Sequence, residues 1–109
     1  MDRESRDYLR HVKTQKWLKG WYNYANRTYF GKKLPNNLQV RWAVLSDLDM
    51  GWQLDDTIVI SEELQRWPAI AQLVMLHEMV HVKTGGYHGK RFQNEMLRLA
   101  KAGAMKDLW

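Results

Sequence analysis

With 109 residues, 45% of them apolar and 27% charged, the chain is long enough for one globular domain with a modest core and too short for two. It has no cysteine, which excludes disulfides and thiolate metal sites and fits a reducing compartment. The charged start MDRESRDYLR lacks the apolar stretch of a signal peptide, and the most apolar run, AIAQLVML, is too short to cross a membrane, so a soluble cytoplasmic protein with no membrane partner is expected. The first thirty residues have the period of one long helix. Tyr8, His11, Val12, Leu18, Trp21, Tyr22, Ala25 and Tyr29 fall on one side, and Arg6, Arg10, Lys13, Lys16 and Arg27 on the other with Trp17 and Tyr24. Gly20 is a weak point, and Gly31 and Pro35 in FGKKLP end the helix.

LQVRWAVL alternates as a strand with one face on the core, SDLDMG is a turn, and MGWQL and TIVIS flank Asp55-Asp56 as a hairpin. Ser61 caps a short helix over EELQRW, and Pro68 suits the first turn of the next helix, about 68–84. That helix is apolar almost all round, as expected of one buried at the centre of a domain, and Gly85-Gly86 stops it. A last helix from about His88 to Ala102 turns Phe92, Met96, Leu99 and Ala100 inward, before a frayed or docked tail.

The central helix carries HEMVH. Residues four apart share a helix face, so His77 and His81 present two imidazoles to one point, while Glu78 points about a quarter-turn away, within reach of a water there. This is the H-E-x-x-H arrangement: two zinc ligands and a general base. Catalytic zinc needs a third protein ligand and an open position; the double glycine reverses the chain and brings His88 within reach, so His77, His81 and His88 are the expected ligands of one zinc ion. Glu95, two helical turns further on, is the alternative third ligand. Zinc would activate water and polarise a carbonyl, with Glu78 moving the proton to the leaving nitrogen. Tyr87 is either a donor to the developing oxyanion or a packing residue. MGWQL is the candidate edge strand for pairing with a substrate backbone, with Trp52 either near a substrate side chain or in the core.

These residues resemble the SprT-like zinc metallopeptidase domain, whose relatives include bacterial SprT and the eukaryotic Spartan proteases. The matching pieces are LHEMVH (Leu76–His81), HGKRF followed by Met96 in the pattern H-G-x-x-F-x-x-x-M, YFGKKLP and TIVIS, covering most of residues 18–100 of what is expected to be a single domain. The metzincin pattern H-E-x-x-H-x-x-G-x-x-H has one residue fewer between its second and third histidines. The resemblance implies an α+β fold: an N-terminal helix, a small, mainly antiparallel sheet of three strands or more, a buried active-site helix and a C-terminal third-ligand helix. It implies zinc on His77, His81 and His88 with Glu78 as base, and a peptidase acting on protein or peptide substrates. Spartan relatives act on proteins crosslinked to DNA, and with no cysteine this chain has no cysteine zinc ribbon.

Net charge is +5, made of +6 over residues 1–33, −4 over 34–69 and +3 over 70–109, so an anionic partner would meet the N-terminal third. Arg6, Arg10, Lys13 and Arg27 with Trp17 and Tyr24 either grip a nucleic-acid backbone and stack a base or form a solvated face. The function competing with a peptidase is a DNA- or partner-binding module of the same fold with an inert zinc.

Overall fold

The N-terminal helix begins where the sequence supplies a cap. In the computed structural model, which describes residues 13–46 and 48–106, Thr14 is extended (φ −83°, ψ 168°) and its hydroxyl accepts the Trp17 N–H at 3.1 Å. Helix α1 therefore runs Gln15–Tyr29. This corrects the expectation of one helix through the first thirty residues. Thr14 turns the chain out of the helical path, and the Lys13 N–H goes to the Gln65 carbonyl at 2.9 Å. Arg6, Tyr8, Arg10, His11 and Val12 lie outside the described residues. Within α1 the apolar face falls as its period demands, with Leu18, Tyr22 and Ala25 buried and Trp21 and Tyr29 half-buried. Gly20 does not interrupt it.

The turn after α1 is pinned by a polar residue in the core. Asn26, 2% exposed, donates through Nδ2 to the Leu34 carbonyl (2.9 Å) and accepts the Leu34 N–H through Oδ1 (3.1 Å), satisfying both buried main-chain groups at once. The Tyr22 hydroxyl donates to the Pro35 carbonyl at 2.7 Å.

Strands β1 (Gln39–Ala43), β2 (Gly51–Leu54) and β3 (Thr57–Ser61) form a sheet in the order β1-β3-β2. β1 pairs with β3 in parallel and β2 with β3 antiparallel, so the sheet is mixed. The β2–β3 hairpin turns at Asp55, which takes a left-handed conformation (φ 51°) that aspartate tolerates. Side chains of α1 cover the outer edge of β1. The Gln15 amide donates to the Val40 carbonyl and accepts the Trp42 N–H (3.3 Å), and the Trp42 indole N–H reaches the Thr14 carbonyl (3.2 Å). Lys19 Nζ donates to the carbonyls of Leu38 and Asn36. The opposite edge belongs to β2. Because the Ser61 N–H bonds the Met50 carbonyl (2.8 Å), the antiparallel register turns the main-chain groups of Gly51 and Gln53 outward.

Ser61 caps a 3-10 turn (Glu62–Arg66), and Pro68 then opens helix α2 (Pro68–Thr84) at a position where its missing N–H costs nothing. Helix α2 packs on β2 and β3 and is the centre of the core, with Ala71, Met75, Leu76, Met79 and Val80 all at 0% exposure beside Ile58 and Ile60. It ends at Gly85, whose φ of 99° is a conformation side-chain-bearing residues resist. Helix α3 (Lys90–Lys101) buries Phe92, Glu95 and Leu99 and half-buries Met96, whereas Ala100 is exposed. Ala104 and Met105 dock onto the core after it. The fold is α+β: a helix, a three-stranded mixed sheet, then two helices. Among the described residues no helix is long and apolar enough to cross a membrane.

Candidate metal centre

Helix α2 places His77 and His81 one turn apart, and the reversal at Gly85 returns His88 to the same spot. His88 precedes α3 by two residues rather than starting it, because Gly89 is still extended (φ −79°, ψ −162°). The three Nε2 atoms converge: 3.2 Å from His77 to His81, 3.0 Å from His81 to His88 and 3.2 Å from His88 to His77. These are the histidines of a candidate metal site. Three nitrogens bound tetrahedrally to one zinc at the usual distance stand about 3.3 Å from one another, so the donor set fits such an ion closely.

Hydrogen bonding within the cluster cannot account for this convergence. Each ring nitrogen is either a donor or an acceptor, and three mutually touching atoms of two kinds must include at least one like pair. A cation removes the conflict by accepting a lone pair from all three. The tautomer of His81 already suits that role. Its Nδ1 lies 3.0 Å from the Gly85 carbonyl, which can only accept, so Nδ1 carries the proton and Nε2 offers its lone pair. Burial, and then the nearby His81 and His88, hold the pKa of His77 below its ordinary value and favour the neutral, ligating form.

Phe92 sits against all three rings. Its centroid is 4.9 Å from that of His77, 4.7 Å from His81 and 4.8 Å from His88, and the residue is 7% exposed. The histidines are thus backed by one apolar wedge that limits their rotation and excludes water from that side.

Glu78 is buried at 6% exposure and lines the same cleft as His77. Burial raises its carboxyl pKa, against a smaller opposing influence from His81. The cleft, about 490 Å³, is walled by Leu48, Met50, Ile70, Leu73, Val74, Met96 and Met105, with Gly51 and Asp49 also on its lining. Sequence reading missed this apolar wall; its signal was Gly51 inside a strand, which marks a close approach. A Cβ at Gly51 would stand 2.7 Å from Val74 Cγ1 and 2.9 Å from the Val59 carbonyl oxygen.

Other expected site residues are placed differently. Tyr87, beside His88, is 87% exposed and so is not a packing residue. Trp52 lies on β2 at 38% exposure and is not among the cleft's lining residues; Gly51 faces α2, so Trp52 points to the other side of the sheet. Trp17 stacks on Trp42 (centroids 6.3 Å apart, 8° between planes), with Lys13 Nζ 5.6 Å from its ring centroid. Arg6 and Arg10 fall outside the described residues. Glu95 does not join the histidine cluster and takes Lys83 (2.9 Å) and Arg98 on one carboxylate oxygen, while Arg98 also donates to the Tyr29 carbonyl (2.8 Å), tying α2, α3 and α1 together.

Compared with protein-family models, with curated proteins and with solved structures, the chain finds no match, and the site stands on its own geometry.

Proposed function

We propose that the chain is a zinc-dependent peptidase with a SprT-like site, holding one zinc on His77, His81 and His88 and using Glu78 as general base. The observation that carries this reading is the meeting of three Nε2 atoms within 3.0–3.2 Å beside a buried glutamate that opens onto a cleft. When bound, zinc supplies Lewis acidity to a water and to the scissile carbonyl. The chain's own residues do the rest. Glu78, its pKa raised by burial, takes a proton from the attacking water and returns it to the leaving nitrogen. The outward main-chain groups of Gly51 and Gln53 pair with an extended peptide, which the covered edge of β1 cannot do. Phe92 backs the three imidazoles, and the Gly85 carbonyl orients that of His81. Tyr87, exposed beside His88, is the donor to the oxyanion.

The test has two parts. Metal analysis of the purified protein should give one zinc per chain, lost on substituting His81 by Ala. Glu78→Gln should keep its zinc and lower the cleavage rate of a loosely folded protein such as casein by at least a hundredfold. A wild type that holds zinc and cleaves nothing, with or without DNA, would leave the binding-module reading instead.

A further inference from the structure

We propose that the cleft beside His77 and Glu78 selects substrates by one large, uncharged apolar side chain flanking the bond to be cut. The inference rests on the peptidase reading above and names its substrate class. Leu48, Met50 and Ile70 are 95%, 56% and 41% exposed, and all three stand around the mouth of this one cleft. Large apolar side chains gathered on a water-facing rim mark a surface that something else covers. Deeper in, Leu73, Val74 and Met96 are half-buried and Met105 is buried, so the apolar wall continues inward beside His77 and Glu78.

Charge narrows the choice. The charged groups on the lining are the acids Asp49 and Glu78, and among the described residues no lysine or arginine joins them. Asp49 already accepts a hydrogen bond from the Ser46 hydroxyl at 2.7 Å. An acidic side chain would find no lysine or arginine on the lining to pair with, whereas an apolar one would meet a wall made mostly of carbon and sulfur. Three methionines, Met50, Met96 and Met105, line the space, and their unbranched chains adapt to differing shapes. Leucine, methionine and phenylalanine should therefore all be accepted.

Geometry directs such a side chain inward. A peptide pairing with Gly51 and Gln53 is extended, so alternate side chains point towards α2. Gly51 itself contributes no side chain, so β2 packs close against α2 at the edge of the cleft. At about 490 Å³ the space suits a single large side chain with part of its main chain rather than a long segment.

The experiment uses the zinc-loaded full chain and a library of short peptides, with cleavage positions mapped by mass spectrometry. Leu, Met or Phe should be enriched at one of the two positions flanking the cut, with kcat/KM at least about tenfold above the Ala peptide and Asp and Glu disfavoured. Leu73→Trp, which fills the wall, should collapse the Phe-to-Ala ratio towards one while the chain keeps one zinc. Should that variant not fold, Ile70→Glu at the exposed rim should reduce the same ratio. Cleavage with no apolar enrichment at either position would overturn the subsite and leave the peptidase reading standing. If the wild type cleaves nothing, the peptidase reading falls on its own, and the subsite is judged by binding. Zinc-loaded Glu78→Gln should hold a fluorescent hexapeptide with a central Phe at least about tenfold tighter than its Ala counterpart, and equal affinities would overturn the proposal.

Discussion

Phe92 offers the sharpest separation between holding the fold together and holding the three clustered histidines. Replacing it by leucine keeps much of the volume but removes a flat ring that meets three imidazoles at 4.7–4.9 Å. Shrinking a side chain that is 7% exposed should cost about 1–2 kcal/mol, and losing the ring contacts about 1 kcal/mol more. If the wedge also fixes the ring orientations, zinc affinity should fall a further 10- to 100-fold, the usual effect of losing an outer support. Urea denaturation of the metal-free protein reads the first effect, and competition against a chromophoric chelator reads the second. Leu99→Ala is the control. It empties a 0% exposed position on the same helix, should cost about 2–5 kcal/mol, and should leave zinc affinity unchanged once the folded fraction is accounted for. A Phe92→Leu protein that loses stability yet binds zinc like the wild type would refute the reasoning. So would a Leu99→Ala protein that loses affinity to the same extent.

Gly51→Ala should destabilise by about 1–3 kcal/mol, because the new methyl would overlap Val74 and the Val59 carbonyl, and β2 must move off α2 to admit it. Peptide cleavage should fall further than the stability loss explains, since the displaced strand carries the open edge; cleavage assays at a temperature where the variant is fully folded check this. Glu95 makes stability depend on acid. Burial alone would raise its pKa, but hydrogen bonds and charge from Arg98 and Lys83 outweigh that and hold it below the ordinary value. A depressed carboxyl pKa gives stability that is present above the unfolded value and lost as pH falls through the folded one. In metal-free protein, Glu95→Gln should therefore cost about 1–2 kcal/mol at pH 7 after solvent screening is allowed for, and the gap from wild type should narrow in denaturation curves as pH falls below the ordinary carboxylate range.

The parts of the fold written in one-dimensional periodicity were legible. Helix α2 came out at 68–84 because Pro68 and Gly85 bracket an apolar run, and its two histidines share a face by helical arithmetic alone. The hairpin and the Ser61 cap were equally local. What could not be read depended on partners distant in sequence. Nothing in QKWLKG says that the Gln15 amide will stand in for a strand against Val40 and Trp42, or that β1 will lie parallel to β3 with β2 outside. The long-helix reading failed because periodicity ran on past Thr14, whose hydroxyl ends the helix by a contact of its own. At the site, the meeting of His77, His81 and His88 was legible because their spacing carries the geometry of the H-E-x-x-H pattern. The cleft was not, because Leu48, Ile70, Met96 and Met105 meet only after folding.

The like pair forced on three touching nitrogens leads to an expectation opposite in sign for the two states of the protein. Without metal, His77, His81 and His88 must leave at least one contact repulsive, and His88 is exposed, so its side chain contributes little burial to offset that. His88→Ala should therefore leave the metal-free protein as stable as the wild type or slightly more so. With metal, the same change removes one of three ligands. A wild type at zinc a hundredfold above its dissociation constant gains about 2.7 kcal/mol, worth roughly 10–20 °C in Tm for a chain of this size, and the variant should lose most of that gain. Melting curves of both proteins with EDTA and with zinc give the four values needed. If His88→Ala weakened the metal-free protein as much as the loaded one, His88 would be an ordinary packing residue. The convergence of the rings would then owe nothing to an ion.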